Sequence, residues 1–249
     1  PVLPDLPLCF PQNSCAEREP SRVTRVAVTT RYECETFPMT ATSVVFLALA
    51  GIACVADWVA VHREVKSLEY MAKPLATVLF LLAAVFIDAG SGAPQAWRGA
   101  AFAFCFAGDV FLMLPRDAFV PGLASFAIAQ VLFAGSFITQ DPTMPRLLIG
   151  VLIAVPITAF LAWRFVSALA HAGHKDLIPP VVVYMAVITA MVVSALAGGT
   201  PAGVVGALFF MASDSLIAET RFVRQRAWHG VAIMVTYHLA LTGLVVGLV

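Results

Sequence analysis

Two aspartates lie inside apolar stretches of the sequence, where acid–base chemistry is the first function to consider. Asp109 follows Gly108 in one run of apolar and small residues, and Asp214 follows Ser213 in a second such run about a hundred residues later. A carboxylate inside a membrane helix costs roughly 2.5–3.5 kcal/mol on insertion scales, so an acid there is rarely without a role. Two close carboxyl groups do not ionise together easily, which suits one of them to donate a proton while the other stays charged. The alternative for the pair is structural, as interhelical hydrogen bonds.

The composition shows what kind of protein holds these acids. Hydrophobic residues make up 60% of the 249 residues and charged residues 12%, and the mean hydropathy is +0.90. These values are typical of a polytopic membrane protein. The formal net charge is zero, which excludes the bulk basic surface that nucleic-acid binding needs. The five cysteines show neither metal-ligand nor redox-motif spacing.

Hydropathy predicts an all-α fold, a bundle of eight transmembrane helices. Apolar stretches alternate with short polar breaks, and most of these stretches approach the ~20 residues that a helix needs to cross the bilayer. Proline marks several predicted starts, including Pro74, where its missing N–H is harmless, and Pro156 is predicted to kink the fifth helix. The predicted spans are 40–61, 74–88, 97–114, 119–138, 147–165, 179–197, 202–220 and 229–249.

The first 38 residues differ from the rest of the chain. They are rich in Pro, Arg, Glu, Ser and Thr and contain no long apolar run, so we expect disorder. Met39 directly precedes the first apolar stretch, and we hypothesise that translation starts there and that 1–38 is an upstream extension. The domain prediction is thus a polar segment, 1–38, followed by a transmembrane domain, 39–249.

The lysines and arginines of the loops predict the orientation in the membrane. Loops after odd-numbered spans carry nine of them, and loops after even-numbered spans carry two. By the positive-inside rule the odd loops are cytoplasmic and both ends of the membrane domain lie outside. Four arginines of the segment 1–38 would weaken this bias if that segment is present.

Polar residues of five spans are predicted to converge at one depth. Asp109 and Asp214 lie roughly 8–9 Å below the cytoplasmic ends of their helices, at ~1.5 Å per residue. That depth is the boundary between lipid headgroups and acyl chains, which favours chemistry on a membrane lipid over ion conduction. The six predicted site residues are Asp109, Asp214, Lys73, Tyr184, Tyr237 and His238.

Simpler roles stay open for several of these side chains. Lys73 alone would fit ordinary positive-inside bias at a helix start. The two tyrosines fit an interfacial belt or packing, and His238 fits a core histidine whose hydrogen bonds are satisfied. Asp57 and Glu219 lie near span ends, where we expect solvated side chains.

Several motifs resemble the YhhN-like family of membrane lysoplasmalogenases, over roughly 40–249. The resemblance implies an eight-helix enzyme that hydrolyses the vinyl-ether bond of lysoplasmalogen, releasing a fatty aldehyde and a glycerophospho-alcohol. It also implies that the two aspartates are the catalytic pair. One departure is Gln130, where the family often has histidine. The motifs are Lys73-Pro74-Leu75, Gly108-Asp109-Val110-Phe111-Leu112-Met113-Leu114, Gly122-Leu123 with Phe126, Tyr184, and Gly206-Ala207-Leu208-Phe209-Phe210 leading to Ser213-Asp214.

The reaction implied by this resemblance needs an acid and a base. Protonation of the β-carbon of a vinyl ether gives an oxocarbenium ion, which water then traps. Asp109 and Asp214 are predicted to share these roles in an order that the sequence leaves open, much as paired carboxylates do in glycoside hydrolysis. The tyrosines would orient the acids or the water, and Lys73 would hold the lipid phosphate as a point charge. His171 and His174 lack a third ligand, so we predict neither a metal nor another cofactor.

Two other classes of function remain as alternatives. One is a proton-coupled transporter or lipid flippase, in which the two acids relay protons; the other is a membrane protein that binds lysolipid without turning it over. Transport would favour polar residues in both leaflets, whereas the outer half carries only Asp88, Gln130, Ser136 and Thr189. We therefore expect an enzyme in the bilayer with a lysophospholipid substrate, in the bacterial cytoplasmic (inner) membrane.

Overall fold

The computed structural model describes residues 39–87, 93–115 and 118–247. The predictions for 1–38 lie outside these residues. Within the described chain, eight helices are long and apolar enough to cross a membrane, which confirms the predicted all-α fold. The helices are α1 (Ala41–His62), α2 (Lys66–Phe86), α3 (Ala93–Met113), α4 (Phe119–Ile138), α5 (Met144–Ala172), α6 (Ile178–Gly198), α7 (Pro201–Ala218) and α8 (His229–Val246).

Seven of the helices form a closed ring, and α5 packs outside it. Short loops make neighbours of α1 and α2, α3 and α4, and α7 and α8, and the ring closes through contacts of α2 with α3, α4 with α6, α6 with α7, and α8 with α1. Helix α5 packs mainly against α6. Large apolar side chains such as Ile52, Met71 and Leu152 are exposed on the outside of the bundle. This distribution is the one a lipid-facing surface requires, and the chain is a multi-pass membrane protein.

Helix α2 begins at Lys66, eight residues before the predicted start, so the predicted boundary was wrong. The turn after α1 is short, and the first turn of α2 carries Lys66 and Glu69, which form an ion pair at 2.8 Å. Hydropathy does not detect such a charged turn. Pro74 therefore lies inside the helix, a position that membrane helices tolerate because neighbouring groups satisfy the freed backbone.

Helix α5 is longer than the predicted 147–165; it ends at Ala172 and is capped by Gly173, whose φ of 82° is accessible to glycine at no steric cost. Arg164 lies inside this helix. Its Nε and Nη2 donate to the two carboxylate oxygens of Glu219 at 2.9 and 2.7 Å. Glu219 was expected to be solvated; it is instead half of a bidentate pair at the start of a π-helical turn, Glu219–Val223, that follows α7.

The backbones of α7 and α8 approach each other at glycines. A Cβ on Gly206 would lie 2.7 Å from the backbone nitrogen of Leu244, and one on Gly243 would lie 2.7 Å from Cα of Gly206. Small residues allow this approach in membranes, where helix association depends on close packing rather than on exclusion of water. The crossing brings together the two helices that carry Asp214 and Tyr237.

Candidate functional site

Asp109 is the centre of a buried hydrogen-bond network between α2, α3 and α8. Its side chain is 1% exposed. The carboxylate Oδ2 accepts from Thr77 Oγ1 at 2.6 Å and from the hydroxyl of Tyr237 at 2.8 Å. The ammonium of Lys73 lies 3.4 Å from Oδ1. One cation and two hydroxyl donors therefore surround this carboxylate, an environment that stabilises its ionised form.

Asp214 has a different set of partners, supplied by α4 and α6. Its Oδ2 accepts from the hydroxyl of Tyr184 at 2.6 Å and from Nε2 of Gln130 at 2.8 Å. Gln130 Nε2 also donates to the Tyr184 hydroxyl at 2.7 Å. Among the described residues no cation pairs with Asp214, and its Oδ1 accepts no protein hydrogen bond. The two aspartates thus have unlike surroundings, which the sequence alone did not reveal.

The hydrogen-bond networks of Asp109 and Asp214 are neighbours. Within the described structure, no hydrogen bond joins the two carboxyl groups directly. Cys105, fully buried one turn before Asp109, interacts electrostatically with both aspartates. The ring of Phe126 contacts the ring of Tyr237 at a centroid distance of 5.9 Å and lines the pocket at Asp214. Cys105 and Phe126 therefore lie next to both networks.

A narrow apolar pocket begins at Asp214. Asp214, Tyr184 and Ser215 contribute its polar groups. The free volume is about 30 Å³, so a ligand larger than a few atoms would enter only if flexible side chains such as Met185 change rotamer. The apolar lining residues are Leu112, Phe119, Leu123, Phe126, Val181, Met185, Ile188, Ile217, Ala218 and Phe222.

Lys73 and His238 lie away from this pocket. Lys73 is 6% exposed and lies inside α2, so its predicted position at the helix start was wrong; its role with phosphate stays a prediction. His238 is 1% exposed, and its Nδ1 accepts from Nε1 of Trp58 at 2.9 Å. His171 bonds the carbonyl oxygen of Ser167 at 2.6 Å, and no three His, Cys, Asp or Glu side chains of the described chain could hold one metal ion.

Asp57 is a buried acid that the sequence analysis placed wrongly. We expected a solvated side chain near the end of α1, but its exposure is 0%. Neither of its carboxylate oxygens has a hydrogen-bond partner in the described structure, and it interacts electrostatically with Lys73 and Asp109. Helical spacing would have revealed this position, because small residues share its face of α1: Ala50, Ala53, Cys54 and Ala60 are all buried. Asp57 is therefore a third acid beside Lys73.

Gln130 and Thr77 are further polar residues whose place the sequence did not show. Gln130 was counted with the outer half of the membrane, yet its amide reaches Asp214. Thr77 follows Lys73 by one turn of α2, so the same helix face presents the cation and a hydroxyl to Asp109. Gln130 thus lies inside the site.

Gly108 is expected to be intolerant of a side chain because the ring of Phe126 occupies the adjacent space. A Cβ on Gly108 would lie 2.6 Å from Cε2 of Phe126. We predict that Gly108→Ala destabilises the protein by about 1–3 kcal/mol, the usual effect of overpacking, measured as thermal unfolding in detergent. Gly99→Ala on the same helix, where no atom lies within 4 Å of the new Cβ, is the control. Equal melting temperatures for the two variants would contradict the predicted clash.

Comparison with known proteins identifies the family. Residues 68–248 match the sequence profile of the YhhN family. The chain belongs to the YhhN family. Among similar YhhN proteins, a lysoplasmalogenase of Mycobacterium bovis is 33% identical over 156 residues, covering 59% of this chain and 58% of the relative. The human lysoplasmalogenase TMEM86B is 34% identical over 133 residues, covering 53% of this chain and 54% of the relative.

The pig lysoplasmalogenase TMEM86B matches over a longer segment of this YhhN protein. It is 33% identical over 168 residues, covering 67% of both chains. This chain spans little more than half the length of the mycobacterial and human relatives. No solved structure gives a significant match.

Proposed function

We propose that this YhhN-family protein is a lysoplasmalogenase that hydrolyses the vinyl-ether bond of a lysophospholipid to a fatty aldehyde and a glycerophospho-alcohol. The observation that carries the proposal is the Asp214–Tyr184 pair at an apolar pocket between α4, α6 and α7. An apolar pocket with a few convergent polar groups is the usual form of a small-molecule site. The relatives named lysoplasmalogenase support the same activity.

Asp214 is assigned as the proton donor. It lines the pocket, and its Oδ1 has no protein donor in the described structure, so that oxygen is available to substrate. The proton of its carboxyl group passes to the β-carbon of the vinyl ether, and the π electrons form the new C–H bond. The α-carbon and the ether oxygen then share the positive charge of an oxocarbenium ion.

Asp109 is assigned as the ionised partner. Lys73, Thr77 and Tyr237 hold its charge in place before reaction, which is the arrangement expected of a preorganised electrostatic stabiliser. Asp214, now a carboxylate, accepts a proton from the water that attacks the α-carbon. The resulting hemiacetal breaks its bond to the glycerol oxygen, which takes the proton now held by Asp214 and leaves as the alcohol. The hemiacetal hydroxyl returns its proton to Asp214 as the α-carbon becomes the aldehyde.

The test uses the purified chain in detergent with lysoplasmenylethanolamine. Aldehyde release is measured in H₂O and in D₂O, with immediate chemical reduction of the aldehyde. Protonation at the β-carbon predicts one deuterium at carbon 2 of the trapped product. The saturated 1-O-alkyl analogue, which has no double bond to protonate, is the substrate control. Binding of both lipids without aldehyde release would instead support a non-catalytic lysolipid-binding protein.

The tyrosine hydroxyls are expected to contribute less than the acids. Removal of the Tyr184 hydroxyl leaves Asp214 with the Gln130 amide, so we predict that Tyr184→Phe lowers kcat by about tenfold, near the lower end of what a hydrogen bond to a charged group contributes. Tyr70→Phe, at a half-exposed tyrosine of α2, is the control. A Tyr184→Phe variant with the kcat of Tyr70→Phe would remove Tyr184 from the mechanism.

The location and orientation proposed for the protein follow its charges. We place it in the bacterial cytoplasmic membrane with the loops after α1, α3, α5 and α7 in the cytoplasm, as the lysines and arginines predict. The position of Gln130 beside Asp214 weakens the transport alternative, because it removes one polar residue from the outer half.

A further inference from the structure

A second, wider pocket adjoins the one at Asp214. Phe119 and Phe222 line both pockets, and their rings meet edge to face with centroids 5.6 Å apart. We call the second pocket the vestibule; its volume is about 510 Å³, within the range of small-molecule sites. Its lining residues are Phe119, Val120, His174, Asp176, Leu177, Arg221 and Phe222.

The vestibule combines charges of both signs with an aromatic wall. Arg221 lies with its guanidinium carbon 4.9 Å from the ring centroid of Phe119, and this stacking restricts where the cation can lie. Asp176 supplies a carboxylate from the turn that precedes α6. A guanidinium is suited to bidentate recognition of phosphate, and a carboxylate is suited to an ammonium. The charges of the vestibule therefore match a zwitterionic headgroup.

The distance between the vestibule and Asp214 matches the length of a lysolipid head. Arg221 follows Asp214 by seven residues, along the last turn of α7 and the π-helical turn, which corresponds to roughly 8–10 Å. In a lysoplasmalogen seven bonds join the phosphorus to the β-carbon of the vinyl ether, and their zigzag spans roughly 8–9 Å. A phosphate at Arg221 thus places the carbon to be protonated at Asp214.

We propose that the vestibule is the headgroup subsite of a zwitterionic lysolipid, with Arg221 binding the phosphate and Asp176 the ammonium. The assignment rests on the proposed function for the identity of the lipid. The glycerol passes alongside Phe119 and Phe222, which line both pockets, and the chain continues along Phe126 and Met185.

This subsite gives the phosphate a different partner from Lys73. The side chain of Lys73 is 7% exposed and its ammonium faces Asp109, and Lys73 lines neither pocket. Arg221 is exposed at the mouth of the vestibule, where a headgroup can reach it from the membrane surface.

The first experiment measures binding and so does not depend on turnover. The full chain in detergent is titrated with two non-hydrolysable lipids, 1-O-alkyl-glycero-3-phosphoethanolamine and 1-O-alkylglycerol, which lacks the phosphate. Arg221→Gln is expected to weaken binding of the phospholipid about 10- to 100-fold, the range for a lost charge-assisted hydrogen bond, and to leave the alkylglycerol unchanged. Arg224→Gln, an exposed arginine of the same segment that lines neither pocket, is the matched control.

Competitors distinguish a headgroup subsite from a simple anion site. Glycerophosphoethanolamine is expected to displace the phospholipid. Inorganic phosphate at equal ionic strength is expected to leave the phospholipid bound. Asp176→Asn is expected to weaken binding of the ethanolamine lipid while sparing the analogue with a bare phosphate and no ammonium. The subsite is overturned if Arg221→Gln weakens binding of the phospholipid and of the alkylglycerol equally. It is also overturned if Arg221→Gln and Arg224→Gln weaken binding of the phospholipid equally. Displacement by inorganic phosphate alone overturns its zwitterionic character.

The kinetic form of the test separates the subsite from the chemistry. If the wild type releases aldehyde, Arg221→Gln raises KM for lysoplasmenylethanolamine with little change for 1-alkenylglycerol, whereas Lys73→Met lowers kcat for both. If the wild type releases none, the proposed function fails and the binding result still decides the subsite.

Discussion

Replacement of either Asp109 or Asp214 by asparagine is expected to lower aldehyde release from lysoplasmenylethanolamine by about 10²- to 10⁴-fold, the range that acid–base groups contribute. Asp214→Asn removes the acidic proton next to the pocket while keeping the acceptor for Tyr184. Asp109→Asn removes the negative charge that Lys73 and Tyr237 hold. Both effects should appear in kcat, measured as initial rates of aldehyde release at saturating lipid.

The two variants are expected to differ in their effect on folding. The controls must separate this effect from the effect on catalysis. Asp109→Asn leaves the buried Lys73 ammonium without its partner, and breaking a buried pair typically costs 3–5 kcal/mol. The double variant Asp109→Asn with Lys73→Met removes both members of this ion pair, so it should fold better than the single variant and remain inactive. Asp141→Asn, in an exposed loop, should match the wild type. Full activity in both single aspartate variants would rule out the mechanism.

Gly206→Ala is expected to be among the most damaging small substitutions in the bundle. The new Cβ would lie 2.7 Å from the backbone nitrogen of Leu244 and 2.9 Å from the carbonyl oxygen of Ala240. Backbone atoms of a helix do not move aside as a side chain does, so α7 and α8 must separate. We predict a loss of about 3 kcal/mol, at the upper end of ordinary overpacking, and a loss of activity because Asp214 and Tyr237 lie on these two helices.

Thermal unfolding in detergent and aldehyde release together test this prediction. Gly51→Ala is the matched control, since no atom lies within 4 Å of a Cβ at that glycine of α1. The control should melt at or slightly above the wild-type temperature because alanine has the higher helix propensity. A Gly206→Ala protein as stable as Gly51→Ala would show that the α7–α8 contact is looser than the structure indicates.

Hydropathy predicted the number and class of the helices because each span must bury some twenty apolar residues in lipid. It failed at the start of α2 and the end of α5, where the helices continue through charged or polar residues. Lys66 and Glu69 pair on the first turn of α2, and Arg164 of α5 pairs with Glu219 after the end of α7. Such ion pairs depend on neighbouring turns and helices, so a window of hydrophobicity does not detect them.

The sequence by itself determined that the chain spans the membrane several times. It also marked Asp109 and Asp214 as exceptional, because a carboxylate inside a membrane span has a high free-energy cost. Only the tertiary structure decided that Gln130 reaches Asp214 and that the two acids have separate networks. The reason is that lipid and protein interior are both apolar, so hydrophobicity does not show which face of a membrane helix turns inward. Rotation of each helix is set by close packing at small residues and by hydrogen bonds between helices. Those contacts exist only once the helices are assembled. They distinguish two aspartates that look alike in the sequence: Asp109 pairs with Lys73, and Asp214 lines a pocket.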